Sequence, residues 1–204
     1  MVNVRKNIFF IIFTVFFTAC TSDNSVIEGT LSSDRYDKEV VYWVPFKDAS
    51  SETVDSSHIN KNTFRIVISD FNRGKMGIVR VRPHLRSGLQ DILVFAETGT
   101  VNVHLDSISS ATGTPLNETL QNWKDRKRLY DVDLYGLRRK LRTAGEDENP
   151  AINAEMENVS SEYYNYIFQI IVENKHNELG KFLYSLNKGR LTPEQIEKLN
   201  NYFE

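Results

Sequence analysis

The sequence contains one cysteine, Cys20, among its 204 residues. A single sulfur excludes an intramolecular disulfide and a Cys-x-x-Cys redox pair by count. The chain also lacks the compositional bias of disordered proteins, because 40% of its residues are hydrophobic and 25% are charged. This length and composition predict a globular protein with one large or two small hydrophobic cores.

Sequence motifs of common hydrolases and nucleotide-binding proteins are also missing. There is no Gly-x-Ser-x-Gly turn, no glycine-rich phosphate loop and no His-x-x-x-His spacing. His104 and Asp106 share a predicted strand face with Asn102, and a metal site there would need a third ligand such as His58 or His84. We interpret the trio as a solvated strand face. The sequence therefore predicts no metal, no cofactor and no enzymatic activity.

A hydrophobic run long enough to span a membrane is absent as well. The most apolar stretch, residues 8–19, has 12 residues, whereas a transmembrane helix needs ~20. It follows Arg5 and Lys6 and ends at the small residue Ala19, which is the pattern of a secretion signal.

The end of this signal resembles the bacterial lipobox. In that motif the signal is cut before a cysteine whose sulfur carries a diacylglycerol, and Thr18, Ala19 and Cys20 match its end. The alternative is a plain secretory signal with a chance cysteine. We predict a signal peptide at 1–19 and a lipidated polar tether at 20–24. Acylated Cys20 would then hold the exported chain to membrane lipid of the cell envelope, at the outer membrane.

After the signal, acidic residues outnumber basic residues. The whole chain has 25 Lys and Arg residues against 27 Asp and Glu residues. Removal of residues 1–19 takes away two basic residues and no acidic one, which leaves 23 against 27 and a net charge of −4. An exported chain with a net negative charge is a poor nucleic-acid binder, so nucleic acid is not an expected partner.

Residues 25–110 have the short hydrophobic period of β-strands. β-Branched and aromatic residues dominate 39–46, and 63–69 places alternate apolar residues on one face. The segment 91–97 is apolar on both faces, and 100–106 alternates between apolar and polar residues. With turn signals and no helix between them, these strands predict an antiparallel β-sandwich.

The hydrophobic period becomes helical in residues 111–204. Apolar residues recur at steps of three and four over 117–143 and again over 152–170, which predicts two long helices that form a hairpin. A third helix is predicted to begin near Asn177, and LTPEQ near the end of the chain has the proline and capping box that begin a fourth. The predicted fold class is therefore α+β, a β-sandwich with a helical region packed on it or following it.

Two segments carry a family resemblance. FAETGTVNVHLD at 95–106, followed by ATGTPLNETLQNW at 111–123, resembles the uncharacterised N-terminal domain of Bacteroidetes lipoprotein thiol-disulfide oxidoreductases. In that family an extended strand, a Glu-x-Gly-Thr turn, another strand and a Gly-Thr-Pro-Leu-Asn helix start follow in this order. The residues at the matching positions are Glu97, Gly99, Thr100, Gly113, Thr114, Pro115, Leu116 and Asn117.

The resemblance implies a fold, an exported location and a thioredoxin-like neighbour. In the family, redox chemistry belongs to a C-terminal thioredoxin-like domain with Cys-x-x-Cys, which we expect this chain to lack, so no catalytic residue carries over. We interpret the matching residues as structural: Gly99 permits a turn, and Gly113 ends the sheet. Thr114 or Asn117 is expected to accept N–H bonds at the helix start. A ligand or catalytic role is the alternative.

Charge is unevenly distributed over the predicted helices. Eight basic residues lie in 124–142, and 146–157 is acidic. We interpret both as solvated helix faces that exchange weak ion pairs. The alternative is that the basic face meets anionic lipid headgroups or an acidic partner.

Another short pattern concerns modification. Asp106-Ser107-Ile108 resembles the three-residue O-glycosylation acceptor of exported Bacteroidetes proteins, which makes Ser107 a candidate site.

These observations favour two functional hypotheses. In the first, the chain is a membrane-anchored cell-envelope lipoprotein that acts as a non-catalytic binding or accessory module for an envelope partner. In the second, it is an accessory part, or the truncated N-terminal half, of a thioredoxin-like thiol-disulfide oxidoreductase, with a thioredoxin-like protein as its partner. An enzyme that acts through carboxylates or histidines is the least favoured.

Overall fold

The computed structural model describes residues 24–47, 49–81 and 88–203, so the predicted signal peptide and Cys20 lie outside the described residues. In this part of the chain, two four-stranded sheets are followed by four helices, which confirms the predicted α+β class. The strands are β1 (Ser25–Leu31), β2 (Val40–Pro45), β3 (Asp55–His58), β4 (Thr63–Val67), β5 (Met76–Val81), β6 (Ile92–Phe95), β7 (Gly99–Leu105) and β8 (Ser110–Thr112). The helices are α1 (Pro115–Leu141), α2 (Asn149–Glu173), α3 (Glu178–Asn187) and α4 (Pro193–Phe203).

The first sheet has the strand order β4-β1-β7-β8. β1 pairs antiparallel with β4 but parallel with β7, and β7 pairs antiparallel with β8. A parallel pair is possible because most of the sandwich separates β1 from β7 along the chain, so that no tight turn fixes their direction. The predicted alternation in β7 is confirmed, since Val101, Val103 and Leu105 are buried while Asn102 and His104 are exposed.

The second sheet has the order β3-β2-β5-β6, and its strand pairs are antiparallel. Trp43 of β2 is fully buried between the sheets. Its indole occupies the space over Gly77 of β5, where a Cβ would lie 2.3 Å from the ring. Gly77 therefore lies within β5 and makes room for the tryptophan ring instead of ending the strand.

The first two helices form the predicted hairpin. Tyr130 of α1 stacks on Tyr163 of α2 with the ring centroids 4.1 Å apart. α2 begins at Asn149, three residues before the start of the predicted helical pattern at 152. The helices share a second hydrophobic core, to which Phe95 of β6 also belongs, so the sandwich and the helical region pack on each other.

The helix starts predicted near the end of the chain are confirmed. Asn177 Oδ1 accepts a hydrogen bond from the backbone N–H of Gly180 at 3.1 Å. The Thr192 hydroxyl accepts from the backbone N–H of Gln195 at 3.2 Å, and the Gln195 side chain accepts from the Thr192 N–H at 3.0 Å, which completes the capping box. Within the described ranges, no helix combines the length and hydrophobicity needed to cross a bilayer.

Candidate functional site

Asn117, in the first turn of α1, is fully buried and binds the backbone of β6. The backbone N–H of Phe95 donates to Asn117 Oδ1 at 2.9 Å, and Asn117 Nδ2 donates to the Phe95 carbonyl at 2.8 Å. β6 is the edge strand of the second sheet, and the amide takes the place that a further strand would occupy. Asn117 therefore satisfies peptide groups that would otherwise be buried without partners.

Glu97 caps α1 from outside the helix. Its Oε2 accepts hydrogen bonds from the backbone N–H groups of Leu116 at 3.0 Å and Asn117 at 3.2 Å, and from the Thr114 hydroxyl at 2.5 Å. A carboxylate at a helix N-terminus also interacts favourably with the helix dipole. The expectation that Thr114 or Asn117 accepts these N–H bonds is therefore wrong, because the longer Glu97 side chain reaches the helix end from the sheet.

Two glycines of the motif have backbone conformations that favour glycine. The φ angle is 107° at Gly99 and 99° at Gly113. At Gly113 a Cβ would lie only 2.5 Å from the carbonyl oxygen of Thr100. Gly113 thus allows the chain leaving β8 to pass close to β7, directly before α1 begins at Pro115.

The face of α1 that carries Asn117 closes the open side of the sandwich. The backbone N–H of Ala111 in β8 donates to Gln121 Oε1 at 3.0 Å, and Lys124 Nζ donates to the Leu93 carbonyl in β6 at 3.3 Å. β6 and β8 are edge strands of the two sheets, so this one helix face covers both edges. Burial lowers the pKa of Lys124 to about 8.

The motif residues therefore meet where the sandwich joins the helices. Each of the polar groups described above has its partner inside the chain, and a closed set of hydrogen bonds presents nothing to a ligand. We call this set the junction; it consists of Glu97, Thr114, Asn117, Gln121 and Lys124.

His104 lies on the exposed face of the first sheet, in an open groove of about 690 Å³ that His58 also lines. Its ring nitrogens lie 2.8 Å from the Thr30 hydroxyl and 3.0 Å from the Ser32 hydroxyl. His84, the other histidine considered as a ligand, lies outside the described residues. Among those residues, no three histidine, cysteine or carboxylate side chains are grouped as a metal site would require.

Ser107 is exposed in the turn between β7 and β8. Its backbone N–H donates to Asp106 Oδ1 at 2.7 Å, and this bond, together with one from the Ser32 hydroxyl, lowers the pKa of Asp106. Glycosylation of Ser107 stays a prediction, which a mass difference at this residue would test.

The basic stretch of α1 is divided between three environments. Lys124 belongs to the junction, while Lys127 pairs with Asp131 at 2.6 Å and Arg128 pairs with Asp125 at 3.3 Å. The end of the helix carries an exposed group that we call the α1 tip, which consists of Arg138, Arg139 and Lys140. The basic residues of α1 therefore do not form one continuous positive face. The α1 tip is exposed, whereas Lys127 and Arg128 are neutralised by carboxylates of the same helix.

A second group of positive charges lines a groove between the sandwich and the helices. The groove has a volume of about 890 Å³ and is walled by residues 45–47 and 73–76, by α3 and by the end of α4. We call it the cationic groove after the basic residues that line it, which are Lys47, Arg73, Lys75, Lys181 and Lys188.

The positive charge of the cationic groove is only partly balanced. Lys181 pairs with Glu178 at 2.9 Å, and Arg73 pairs with Asp70 at 2.5 Å. Of the described residues that line the groove, Glu178 alone carries a carboxylate. The basic residues without a salt bridge to any described carboxylate are Lys47, Lys75 and Lys188.

Aromatic rings lie between these cations. Phe182 of α3 makes edge-to-face contacts with Phe46 and with Trp123, each with ring centroids 6.0 Å apart. Trp123 is buried, whereas Phe46 is 48% exposed and Tyr202, which also lines the groove, is 43% exposed. Exposed rings beside unpaired positive charge are typical of a surface that binds a partner or ligand.

This groove could not be predicted from the sequence, because its basic residues come from separate segments that meet only in the fold. No spacing rule connects Lys47 with Lys188. A sequence signal exists only for α3, where Glu178, Lys181, Phe182 and Ser185 recur at the steps that place residues on one helix face.

No family model, no curated protein and no solved structure matches this chain. The resemblance to the domain that precedes thioredoxin-like oxidoreductases therefore stays a prediction, and the cationic groove is the strongest functional feature of the described residues.

Proposed function

We propose that this chain is a lipid-anchored, non-catalytic binding module of the cell envelope, and that it binds an anionic ligand in the cationic groove. The observation that supports this proposal is the excess of five basic side chains over one carboxylate around a groove of about 890 Å³. A cleft lined by one sign of charge concentrates ligands of the opposite sign at its surface.

The position of the cationic groove supports a binding role. It lies between the two parts of the fold, where ligand pockets preferentially occur. Phe46 and Tyr202 offer partly exposed rings to any apolar portion of the ligand, while Lys47, Lys75 and Lys188 provide charge that no described carboxylate neutralises. The ligand we expect is anionic with an apolar part.

Anchoring through Cys20 is the second part of the proposal, and it rests on the sequence. Cys20→Ser removes the sulfur that would carry the diacylglycerol. Expressed in the native envelope and washed with high salt to remove charge-dependent contacts, this variant is expected to leave the membrane fraction or to retain its signal. A Cys20→Ser protein that is processed and still membrane-bound after that wash contradicts the anchor.

Binding in the cationic groove is tested by thermal unfolding in the presence of polyglutamate or inorganic polyphosphate. A ligand that binds only the folded state raises Tm, by mass action. We expect the rise in the parent protein and not in the triple variant Lys47→Glu, Lys75→Glu, Lys188→Glu, which we call the groove variant.

The matched control reverses the same number of charges elsewhere. Arg138→Glu, Arg139→Glu, Lys140→Glu, which we call the tip variant, changes the net charge by the same amount but leaves the groove intact. It is expected to show the same rise in Tm as the parent. A rise that survives in the groove variant contradicts the proposed site.

A further inference from the structure

The cationic groove lies at the end of the sandwich where the chain arrives from Cys20. Gly74, in the groove wall, donates its backbone N–H to the carbonyl of Ala96 at 2.7 Å. The hydroxyl of Ser25, the second described residue, donates to the same carbonyl at 3.1 Å. The start of the folded region therefore lies directly beside the wall of the groove.

A lipid on Cys20 would hold this end of the molecule close to the bilayer. Four peptide units connect Cys20 to Asn24, and even fully extended they span at most ~14 Å. The folded region is larger than this reach, since α1 alone, with 27 residues, is ~40 Å long. Such a short tether would hold Asn24 near the lipid headgroups. The groove wall lies beside Ser25, so it would be held there as well.

Exposed aromatic rings lie in the cationic groove and beside it. Phe71 is 62% exposed, and the Nζ of Lys75 lies over its ring at 3.4 Å from the centroid. Phe46 and Tyr202, in the groove itself, are also partly exposed. Aromatic rings interleaved with lysines are the composition of surfaces that lie at the boundary between lipid headgroups and acyl chains.

We propose that the cationic groove docks onto phosphate-bearing lipid headgroups of the membrane to which Cys20 is tied. This inference rests on the proposed function and names the ligand of the same site. Lys47, Lys75 and Lys188 would face the phosphates, and the exposed rings would enter the headgroup layer. An acidic polypeptide would match the charge equally well, whereas the headgroups also account for the exposed rings and for the position beside the tether.

Vesicle binding tests this proposal without help from the acyl chains. The protein begins at residue 20 with Cys20→Ser, which keeps every described strand and helix. Co-sedimentation is measured with vesicles of phosphatidylcholine alone and with vesicles that also contain phosphatidylglycerol. We expect binding to the anionic vesicles only, weakened by added salt and weakened on the order of 100-fold in the groove variant. The tip variant is expected to bind like the parent.

Each other outcome overturns the proposal in a recognisable way. If only the tip variant loses vesicle binding, the α1 tip is the binding site. If both variants lose it equally, net charge and not the groove is responsible. Equally tight binding of soluble glycerol phosphate would indicate a free phosphate site. Groove-dependent binding of polyglutamate without vesicle binding refutes the lipid ligand but leaves the proposed function standing. If no probe binds in a groove-dependent manner, both fail.

Discussion

The junction and the cationic groove lie along the same boundary between sandwich and helices, but their polar side chains are used in opposite ways. In the junction, Asn117 is fully buried and both ends of its amide are bonded within the chain. In the groove, Lys47 and Lys188 have no salt bridge to a described carboxylate. Groups bonded internally stabilise the fold, whereas groups left to solvent are able to bind something else.

This difference shows that residues at a fixed spacing in the sequence need not mark a site of chemistry. Glu97, Thr114 and Asn117 must keep their spacing, because each bonds to the other two. The basic residues of the groove come from separate segments of the chain, so no local spacing marks them. Local sequence likeness therefore finds the junction more readily than the groove.

The largest stability effect is expected at Asn117. Asn117→Ala leaves the buried N–H and C=O of Phe95 without partners, each at a cost of about 1–3 kcal/mol. We expect the free energy of unfolding to fall by about 3–4 kcal/mol, measured by urea denaturation. Asn158→Ala, on the exposed face of α2, is the matched control and should change stability by less than about 0.5 kcal/mol. Similar losses in the two variants would contradict the structural role of Asn117.

A smaller loss is expected when the helix cap is removed. Glu97→Ala deletes the oxygen that accepts from Leu116, Asn117 and Thr114, and loss of a cap costs about 0.5–2 kcal/mol. We expect a decrease of about 2 kcal/mol in urea denaturation, whereas Glu157→Ala on exposed α2 should be nearly neutral. If Glu97→Ala also abolished anion binding in the groove without unfolding the protein, the separation between the two regions would be wrong.

The pH dependence of the free energy of unfolding distinguishes Lys124 from the lysines of the groove. Burial lowers its pKa from 10.5 to about 8, so between these values the unfolded chain holds a proton that the folded chain has lost. Stability is therefore expected to rise between pH 8 and pH 9, by roughly 1 kcal/mol. Lys124→Met, which keeps the apolar stem, should lose this rise, while the groove variant should keep it. Denaturation is measured only up to pH 9, because burial raises the pKa of Tyr163 to about 12, and ionisation of this tyrosine in the unfolded chain near its ordinary value of 10.0 would lower stability. A parent protein with no rise in stability would refute the burial of this amine.

Much of the fold follows from local sequence patterns. The alternation in β7 and the capping box at Thr192 were predictable, because each depends on neighbours within a few residues. The parallel pairing of β1 with β7 was not, since strand direction across a long connection depends on tertiary packing. The helix cap at Glu97 was missed for the same reason, because its carboxylate lies 19 residues before Leu116, to whose N–H it bonds.

The candidate site was harder to predict than the fold. The sequence shows a run of basic residues on α1, but Lys127 and Arg128 are paired within the helix and Lys124 is half-buried in the junction. The cationic groove is assembled from segments as far apart as Lys47 and Lys188. Single-sequence analysis detects charge along the chain and not charge brought together by folding.

The smallest stability effect is expected for the groove variant, and it completes the comparison. Exposed charges away from buried networks typically contribute within about 0.5 kcal/mol each. Lys75→Glu also removes the exposed contact with the Phe71 ring, worth about 0.5–1 kcal/mol, while reversal of charge relieves repulsion among the remaining groove cations. We therefore expect the three substitutions together to change the free energy of unfolding by no more than about 1 kcal/mol, although they abolish anion binding. A loss as large as that of Asn117→Ala would show that the groove cations hold the helices against the sandwich, and would place them in the same structural class as the junction.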